Sequence, residues 1–439
     1  MKWVKLPSTN KDTRKIGKNT LWLIYEKAFR MILSLFVGLW VARYLGPTNY
    51  GQLNYAISLI GMLIPFVSLG LDGVVVKELA KGDKDIYKIL GTTLVSRFIS
   101  GFLLVFCLIL IILLFDFSTN KEVEILILII SFSLVFKSFE TIDLWFQANV
   151  ESKYTVFSKN ISYLLSAILK IILILLGASV FFFAVVNVIE FMLLGLFLLL
   201  MYKKRENDIK KWSFDKTYFN DLIKESWPLI LSGLTISIYM KADTIMIGTM
   251  LNSTEVGLYS SAVKLAELWY VIPTALVTSM APSIAKVKKM NLNYNTKIKK
   301  LFDVMVLSSL IVAIPVTLFS NKIVGLMYGK EYLGASVTLS IYIWASIFVF
   351  LGVAKTPWII NEGLIKFNFY ATLIGAVLNI VGNYFLIPIM GINGAAISTI
   401  VTQAFASVLV FSFFKKTRPV FNLMIKSIVW PFSIFKRNE

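Results

Sequence analysis

The chain has 439 residues, of which 57% are hydrophobic and only 16% charged, with a net charge of +19 and a mean hydropathy of +0.76. Soluble chains carry about a quarter charged residues, so the surplus apolar surface calls for lipid. One cysteine, Cys107, and no histidine exclude an internal disulfide, a cysteine zinc site and histidine acid–base or proton-relay chemistry.

Crossing the hydrocarbon core takes about 20 apolar residues as a helix. Runs of that kind fall at 20–45, 52–71, 90–115, 123–146, 154–177, 180–202, 222–250, 257–285, 301–320, 335–354, 367–388 and 394–414. The fifth and sixth are separated only by Gly177-Ala178-Ser179. The spacing predicts an all-α membrane protein of about twelve spans. Five segments follow: a basic tail (1–19), a six-helix bundle (20–202), a linker (203–221), a second six-helix bundle (222–414) and a basic tail (415–439).

Basic residues alternate between successive connections. One set holds Lys2, Lys5, Lys11, Arg14, Lys15 and Lys18, then Lys77 to Lys88, Lys153, Lys203 to Lys216, Lys286 to Lys300, Lys355, Lys366 and the residues from Lys415 to Arg437. The other holds Lys121, Lys322 and Lys330. The positive-inside rule puts the first set in the cytoplasm and predicts an inner-membrane protein with both termini inside. The charge is then topological, and no nucleic-acid partner is expected. The first nineteen residues do not read as a cleaved signal, because Glu26, Lys27 and Arg30 follow and no small-residue cleavage site ends the run. The C-terminal tail alternates basic residues with Phe421, Leu423, Trp430, Phe432 and Phe435, as a helix lying along the interface or a loose basic tail would.

The halves resemble each other at an offset of 206 residues: Leu45, Thr48, Gly51, Ala56 and Leu59 answer Leu251, Thr254, Gly257, Ala262 and Leu265. Six spans per half in the same orientation imply parallel repeats, an arrangement that places a substrate cavity centrally between two bundles and works by rocking them.

Ionisable residues inside a bilayer cost roughly 2.5–3.5 kcal/mol each on insertion scales and face a cavity or a partner. Glu26 and Arg30 stand four apart in the favoured order for a helical pair, with Lys27 beside them. Lys137, Glu140 and Asp143 form a stripe in the fourth span; Lys170 and Glu190 stand alone in the fifth and sixth. Lys241 and Asp243 interrupt the seventh, and Lys264 and Glu267 the eighth. Arg43, Arg97, Lys159 and Lys224 lie near span ends and read as snorkelling. Lys27, Arg30, Lys241 and Lys264 are the candidate anion ligands, with Lys137 and Lys170 as further cavity cations. Glu26, Glu140, Asp143, Glu190, Asp243 and Glu267 are candidate cavity or ion-coupling carboxylates. A net basic cavity suits a diphosphate; a cavity lined mainly by carboxylates suits cationic drugs. No GxxxxGK[ST], GxSxG or HExxH motif is present, and no cofactor is expected, so uphill work falls to an ion gradient (H+ or Na+) or to product removal. The short connections disfavour a membrane polymerase or transferase; an ion-coupled extruder of amphipathic cations stays open.

Several stretches, in order, resemble the polysaccharide flippase family of the O-antigen type, within the multidrug/oligosaccharidyl-lipid/polysaccharide exporter superfamily. They are Val41-Ala42-Arg43-Tyr44-Leu45-Gly46-Pro47 with Tyr50-Gly51, then Phe146-Gln147-Ala148-Asn149, then the run from Lys241 to Gly248. Val256-Gly257-Leu258-Tyr259-Ser260-Ser261-Ala262 and Gly391-Ile392-Asn393-Gly394-Ala395-Ala396 complete the series. Members commonly carry arginine where Lys241 stands, so the charge matches but not the fork geometry. The resemblance implies a two-lobed fold of twelve helices in all, no enzymatic activity, and an undecaprenyl-pyrophosphate-linked oligosaccharide moved between leaflets for O-antigen or capsule synthesis. Membrane lipids, a glycan polymerase and a chain-length protein are the partners expected of such a system.

Overall fold

The computed structural model describes residues 10–82, 85–114, 120–205, 208–290 and 293–435. Lys2, Lys5, Lys84, Lys436 and Arg437 lie outside them, as do the side chains of Lys11, Arg14, Lys15, Lys18, Phe432 and Phe435. The described chain is helical, without strands. In order it forms α1 (Asn10–Ser68), α2 (Leu71–Lys81), α3 (Ile86–Leu114), α4 (Lys121–Phe136), a 3-10 turn (Lys137–Glu140), α5 (Thr141–Ala148), α6 (Ser152–Leu175), α7 (Val180–Lys204) and α8 (Lys216–Met250). There follow α9 (Ser253–Glu267), α10 (Val271–Lys289), α11 (Tyr294–Tyr328), α12 (Ala335–Tyr342), α13 (Ala345–Ala354), α14 (Thr356–Asn361), α15 (Ile365–Met390), α16 (Ile392–Ser407) and α17 (Arg418–Phe435).

Ten described helical stretches are long and apolar enough to cross a bilayer, and the protein is a multi-pass membrane protein. The first stretch, Tyr25–Lys81, holds 57 residues, about 85 Å of helix at 1.5 Å per residue, and contains two of the expected spans. The two part at Gly46, whose φ of 70° and ψ of 171° are not helical; Pro47 then starts the second run with its φ already set. The expected span at 257–285 is α9 and α10, interrupted by a 3-10 turn at Leu268–Tyr270. The short turn between the fifth and sixth spans is present: Gly177 has a φ of 68° and α7 starts at Val180.

The chain divides into two compact units, Met1–Tyr44 with Ala56–Ser237, and Leu45–Tyr55 with Ile238–Glu439. In the first, Leu71, Val74, Ile89, Leu144 and Leu222 form one core and Leu90, Ile142, Phe146, Leu198 and Tyr202 another. In the second, Phe302, Met305, Phe350, Leu351, Trp358 and Phe411 form a core that receives Val420 and Met424 of α17. The C-terminal segment is thus a helix docked on the core and not a loose tail: its apolar residues recur at helical spacing and Val420 and Met424 are fully buried.

The second unit holds a clasp. Thr48 and Thr254 share a hydrogen bond of 2.9 Å. A methyl group on Gly51 would overlap the Ser253 carbonyl, and one on Gly257 would overlap the Pro47 carbonyl. Only glycine lets these backbones approach so closely.

Candidate functional site

In the first unit α1, α6 and α7 bring Glu26, Arg30, Lys170 and Glu190 together. Arg30 Nη1 donates to Glu26 Oε1 at 3.4 Å, one helical turn back. Its Nη2 lies 3.8 Å from Glu190 Oε1, and the guanidinium sits 5.1 Å over the Tyr163 ring. Glu190 Oε2 accepts from Ser166 Oγ at 2.8 Å and from Lys170 Nζ at 3.5 Å. Lys170 and Glu190, solitary in sequence, are therefore partners. Two cations face two carboxylates, so the cluster is balanced rather than net basic. Lys27, beside Glu26 on α1, is exposed.

The stripe of the fourth span divides. Lys137 binds both oxygens of Glu140, at 2.9 and 2.8 Å, within the 3-10 turn. Asp143 turns to α6, where Thr155 Oγ1 donates at 2.7 Å and Lys159 Nζ at 2.9 Å. Lys159 is thus an interhelical ion pair and not a snorkelling residue. Arg97 requires the same correction. It is 2% exposed, donates to Asp72 Oδ1 at 2.7 Å and to the Ser68 carbonyl at 3.3 Å, and lines a cavity of about 450 Å3 with Lys137 and Glu140. Arg43 and Lys224 are exposed.

In the second unit α8, α9, α15 and α16 surround Asp243. Asn383 Nδ2 donates to Oδ1 at 2.6 Å; Tyr259 OH and Thr399 Oγ1 donate to Oδ2 at 2.5 and 2.6 Å. The hydrogen bonds come from neutral side chains on three helices, and an ionised acceptor strengthens bonds of this kind. Asn379, 3.4 Å from Asn383, extends the network. Lys264 Nζ donates to Tyr50 OH at 3.1 Å. Glu267 lies within electrostatic reach of Lys241, Lys264 and Asp243. Lys241 is half-buried beside this group. Among the described residues no group of three His, Cys, Asp or Glu side chains is placed to hold a metal ion.

Sequence reasoning passed over Asn379, Asn383 and Thr399, because neutral amides and hydroxyls inside an apolar run carry no charge signal. It also took Lys355 for a loop cation. Lys355 is buried, donates to the carbonyls of Ala406 and Ser407 at 3.3 and 3.1 Å and lies 4.0 Å over the Phe411 ring. It caps the negative end of α16.

The model of the polysaccharide biosynthesis protein family matches residues 16–288, and the MatE model matches residues 228–385. The probable low-salt glycan biosynthesis flippase Agl15 of Haloferax volcanii is 27% identical over 214 residues, 47% of this chain and 44% of the relative. The capsular polysaccharide biosynthesis protein CapF of Staphylococcus aureus is 20% identical over 411 residues, 91% of this chain and 99% of that one. The match with the first curated relatives spans less than half of their length. Among solved structures, the lipid II flippase MurJ in an inward closed conformation has a TM-score of 0.71 at 16% identity, over 96% of this chain and 93% of that one; the likeness is one of fold. With the family model matching residues 16–288 of 439, this chain belongs to the polysaccharide biosynthesis protein family.

Proposed function

We propose that the protein is a flippase that carries a lipid-linked glycan across the cell membrane for polysaccharide biosynthesis, with an undecaprenyl-pyrophosphate-linked oligosaccharide as substrate. The observation that carries this reading is the looseness of Arg30. Charge-assisted pairs that are fully made have N···O distances of about 2.7–2.9 Å. Arg97–Asp72 and Lys159–Asp143 meet that mark at 2.7 and 2.9 Å. Arg30 stands at 3.4 and 3.8 Å from its two carboxylates, with 40% of its side chain exposed. A diphosphate, bidentate and more highly charged, would displace both carboxylates. Lys27, exposed on the same helix, adds a second cation.

The head group is exposed alternately to the two sides while the lipid chain stays in the bilayer. Asp243 is the proposed coupling carboxylate, since hydrogen bonds from Asn383, Tyr259 and Thr399 position it and leave its charge for a proton or Na+. The alternation of basic connections supports termini on the cytoplasmic side. A glycan polymerase and a chain-length protein are the proposed downstream partners.

Replacing Lys27 and Arg30 with Gln tests the reading. Surface glycan falls at normal expression of the variant; unchanged glycan rejects both residues. The MatE match over residues 228–385 favours one second reading, an ion-coupled extruder of amphipathic cations. A deletion strain that becomes drug-sensitive while keeping its surface glycan would replace the first reading with the second.

A further inference from the structure

The first unit holds a slot of about 650 Å3 that the head-group site does not use. Its walls are Trp22, Tyr25 and Phe29 of α1 and Phe157, Ile161 and Leu164 of α6. Reciprocal hydrogen bonds pin the two helices beside it: Asn19 Nδ2 donates to Ser152 Oγ at 2.9 Å, and the Ser152 amide donates to Asn19 Oδ1 at 2.8 Å. Past that pin the rings of α1 stand clear as a ladder, with Tyr25 and Phe29 stacked at 6.0 Å. Tyr25 and Phe157 are about half exposed.

Exposed aromatic rings on a membrane helix need no special explanation, since lipid covers them. Two other features ask for a particular occupant. Lys153, near the start of α6, and Lys204, at the end of α7, both line the slot. They share one end of it, because α6 and α7 run antiparallel through the short turn at Gly177. Among the described residues no acidic one lines the slot. Glu151, two residues before Lys153, is taken by Arg205 at 3.1 and 2.7 Å; Glu206, two residues after Lys204, lies outside the described residues, and among the described residues neither Lys153 nor Lys204 forms an ion pair. The second feature is Asn160, a lining residue whose amide NH2 can donate to an anion.

We propose that this slot is a docking site for the polyprenyl diphosphate portion of the carried lipid, occupied before the head group reaches Arg30. Two ammonium groups at one end of the slot favour a group carrying at least two negative charges over a phosphodiester lipid with a single charge. Flat aromatic rings pack on the planar alkenes of an isoprenoid chain. The slot also leads to the head-group cluster: Phe29 precedes Arg30, and Leu164 follows Tyr163, whose ring carries the Arg30 guanidinium. The inference rests on the flippase reading and adds the place where the lipid itself is held.

The test uses the purified full-length protein, farnesyl diphosphate as probe and native mass spectrometry as readout, with inorganic pyrophosphate and phosphatidylglycerol as competitors. All three sites of substitution are exposed or half-buried surface positions, so the variants keep the fold. Lys153→Gln with Lys204→Gln weakens probe binding by at least about tenfold, equivalent to about 1.4 kcal/mol, and Tyr25→Ala weakens it again. Neither competitor displaces the probe at equal concentration. Binding that survives the double lysine variant overturns the slot. Displacement by phosphatidylglycerol makes it a general anionic-lipid site and overturns the assignment of the occupant; displacement by pyrophosphate shows that the rings do not contribute and overturns it likewise. Arg30→Gln separates this inference from the function proposed above. Probe binding lost in the lysine variant, with glycan export intact in Arg30→Gln, keeps the slot and removes the head-group site. Export lost in Arg30→Gln, with probe binding intact in the lysine variant, does the reverse.

Discussion

Thr48 and Thr254 are joined by a hydrogen bond of 2.9 Å and stand 206 residues apart, the offset that relates the two halves of the sequence. The contacts on either side are reciprocal. Gly51 meets Ser253 and Gly257 meets Pro47, and Pro47 and Gly51 correspond at the same offset to Ser253 and Gly257. A contact in which one position meets another, and the second copy returns it, belongs to a twofold relation. The repeat is therefore a physical pairing of its two copies.

That pairing predicts a cross-link. With Cys107 replaced by Ala, Thr48→Cys and Thr254→Cys form a disulfide under mild oxidation, seen as a gel-mobility shift that a reductant reverses. If segment 45–55 leaves α9 during transport, oxidation stops glycan export and reduction restores it. Gly257→Ala drives a methyl group into the Pro47 carbonyl and costs about 1–3 kcal/mol of stability. No shift on oxidation, together with a Gly257→Ala protein that melts like the parent, would show that the two segments do not meet.

A second prediction concerns Asp243. A hydrogen bond to a charged group contributes about 1.5–3 kcal/mol, and Thr399 and Asn383 each donate one at 2.6 Å. Thr399→Val and Asn383→Leu should each lower stability by about that amount, read as a fall in melting temperature of the purified protein. Combined with Asp243→Asn, either change should cost much less, because the charge that strengthened the bond is gone. Additive losses in the combined variants would mean that Asp243 is already neutral.

These two sites mark what the sequence discloses and what it hides. Hydropathy and loop charge delimit the helices, since each span must be apolar on its own, and the Glu26–Arg30 pair is visible because four residues make about one helical turn. Partners on different helices are not visible in that way. Arg97 finds Asp72 across 25 residues and Lys159 finds Asp143 across 16; closeness to a span end suggested water for both cations, whereas α2 and α5 supply carboxylates. The repeat at Thr48 and Thr254 is plain in sequence, yet nothing in a sequence says that its copies touch each other. The network of Asn379, Asn383 and Thr399 carries no net charge and leaves little trace in hydropathy.

The Arg97–Asp72 pair separates buried from exposed ion pairing. Arg97 is sealed while 65% of the Asp72 side chain is exposed, so loss of Asp72 strands a buried guanidinium with only the Ser68 carbonyl. Asp72→Ala should destabilise by about 1–3 kcal/mol. Lys77 and Glu225 pair at the same 2.7 Å, but their side chains are 55% and 47% exposed, and Lys77→Ala should cost less than about 1 kcal/mol. Thermal unfolding of the two variants side by side decides the point, and equal shifts would contradict the burial of Arg97.

Asp215, just before α8, gives the last prediction. Its Oδ1 accepts the Tyr218 amide at 3.0 Å, and Lys88 Nζ lies 3.4 Å from Oδ2. The Tyr218 amide first, then Lys88, hold the carboxyl below its ordinary range. A carboxylate whose pKa is lowered by folding stabilises the folded state above the ordinary range, and that stability fades as pH falls through the lowered pKa. Asp215→Asn keeps an acceptor for the Tyr218 amide and removes the charge. The melting temperature of the parent should therefore exceed that of the variant at neutral pH, and the gap should close on acidification. Lys88→Gln should narrow the gap at neutral pH without abolishing it, because the amide contribution persists. A gap that stays constant from neutral to acid pH would show that the carboxylate charge has no part in holding the start of α8.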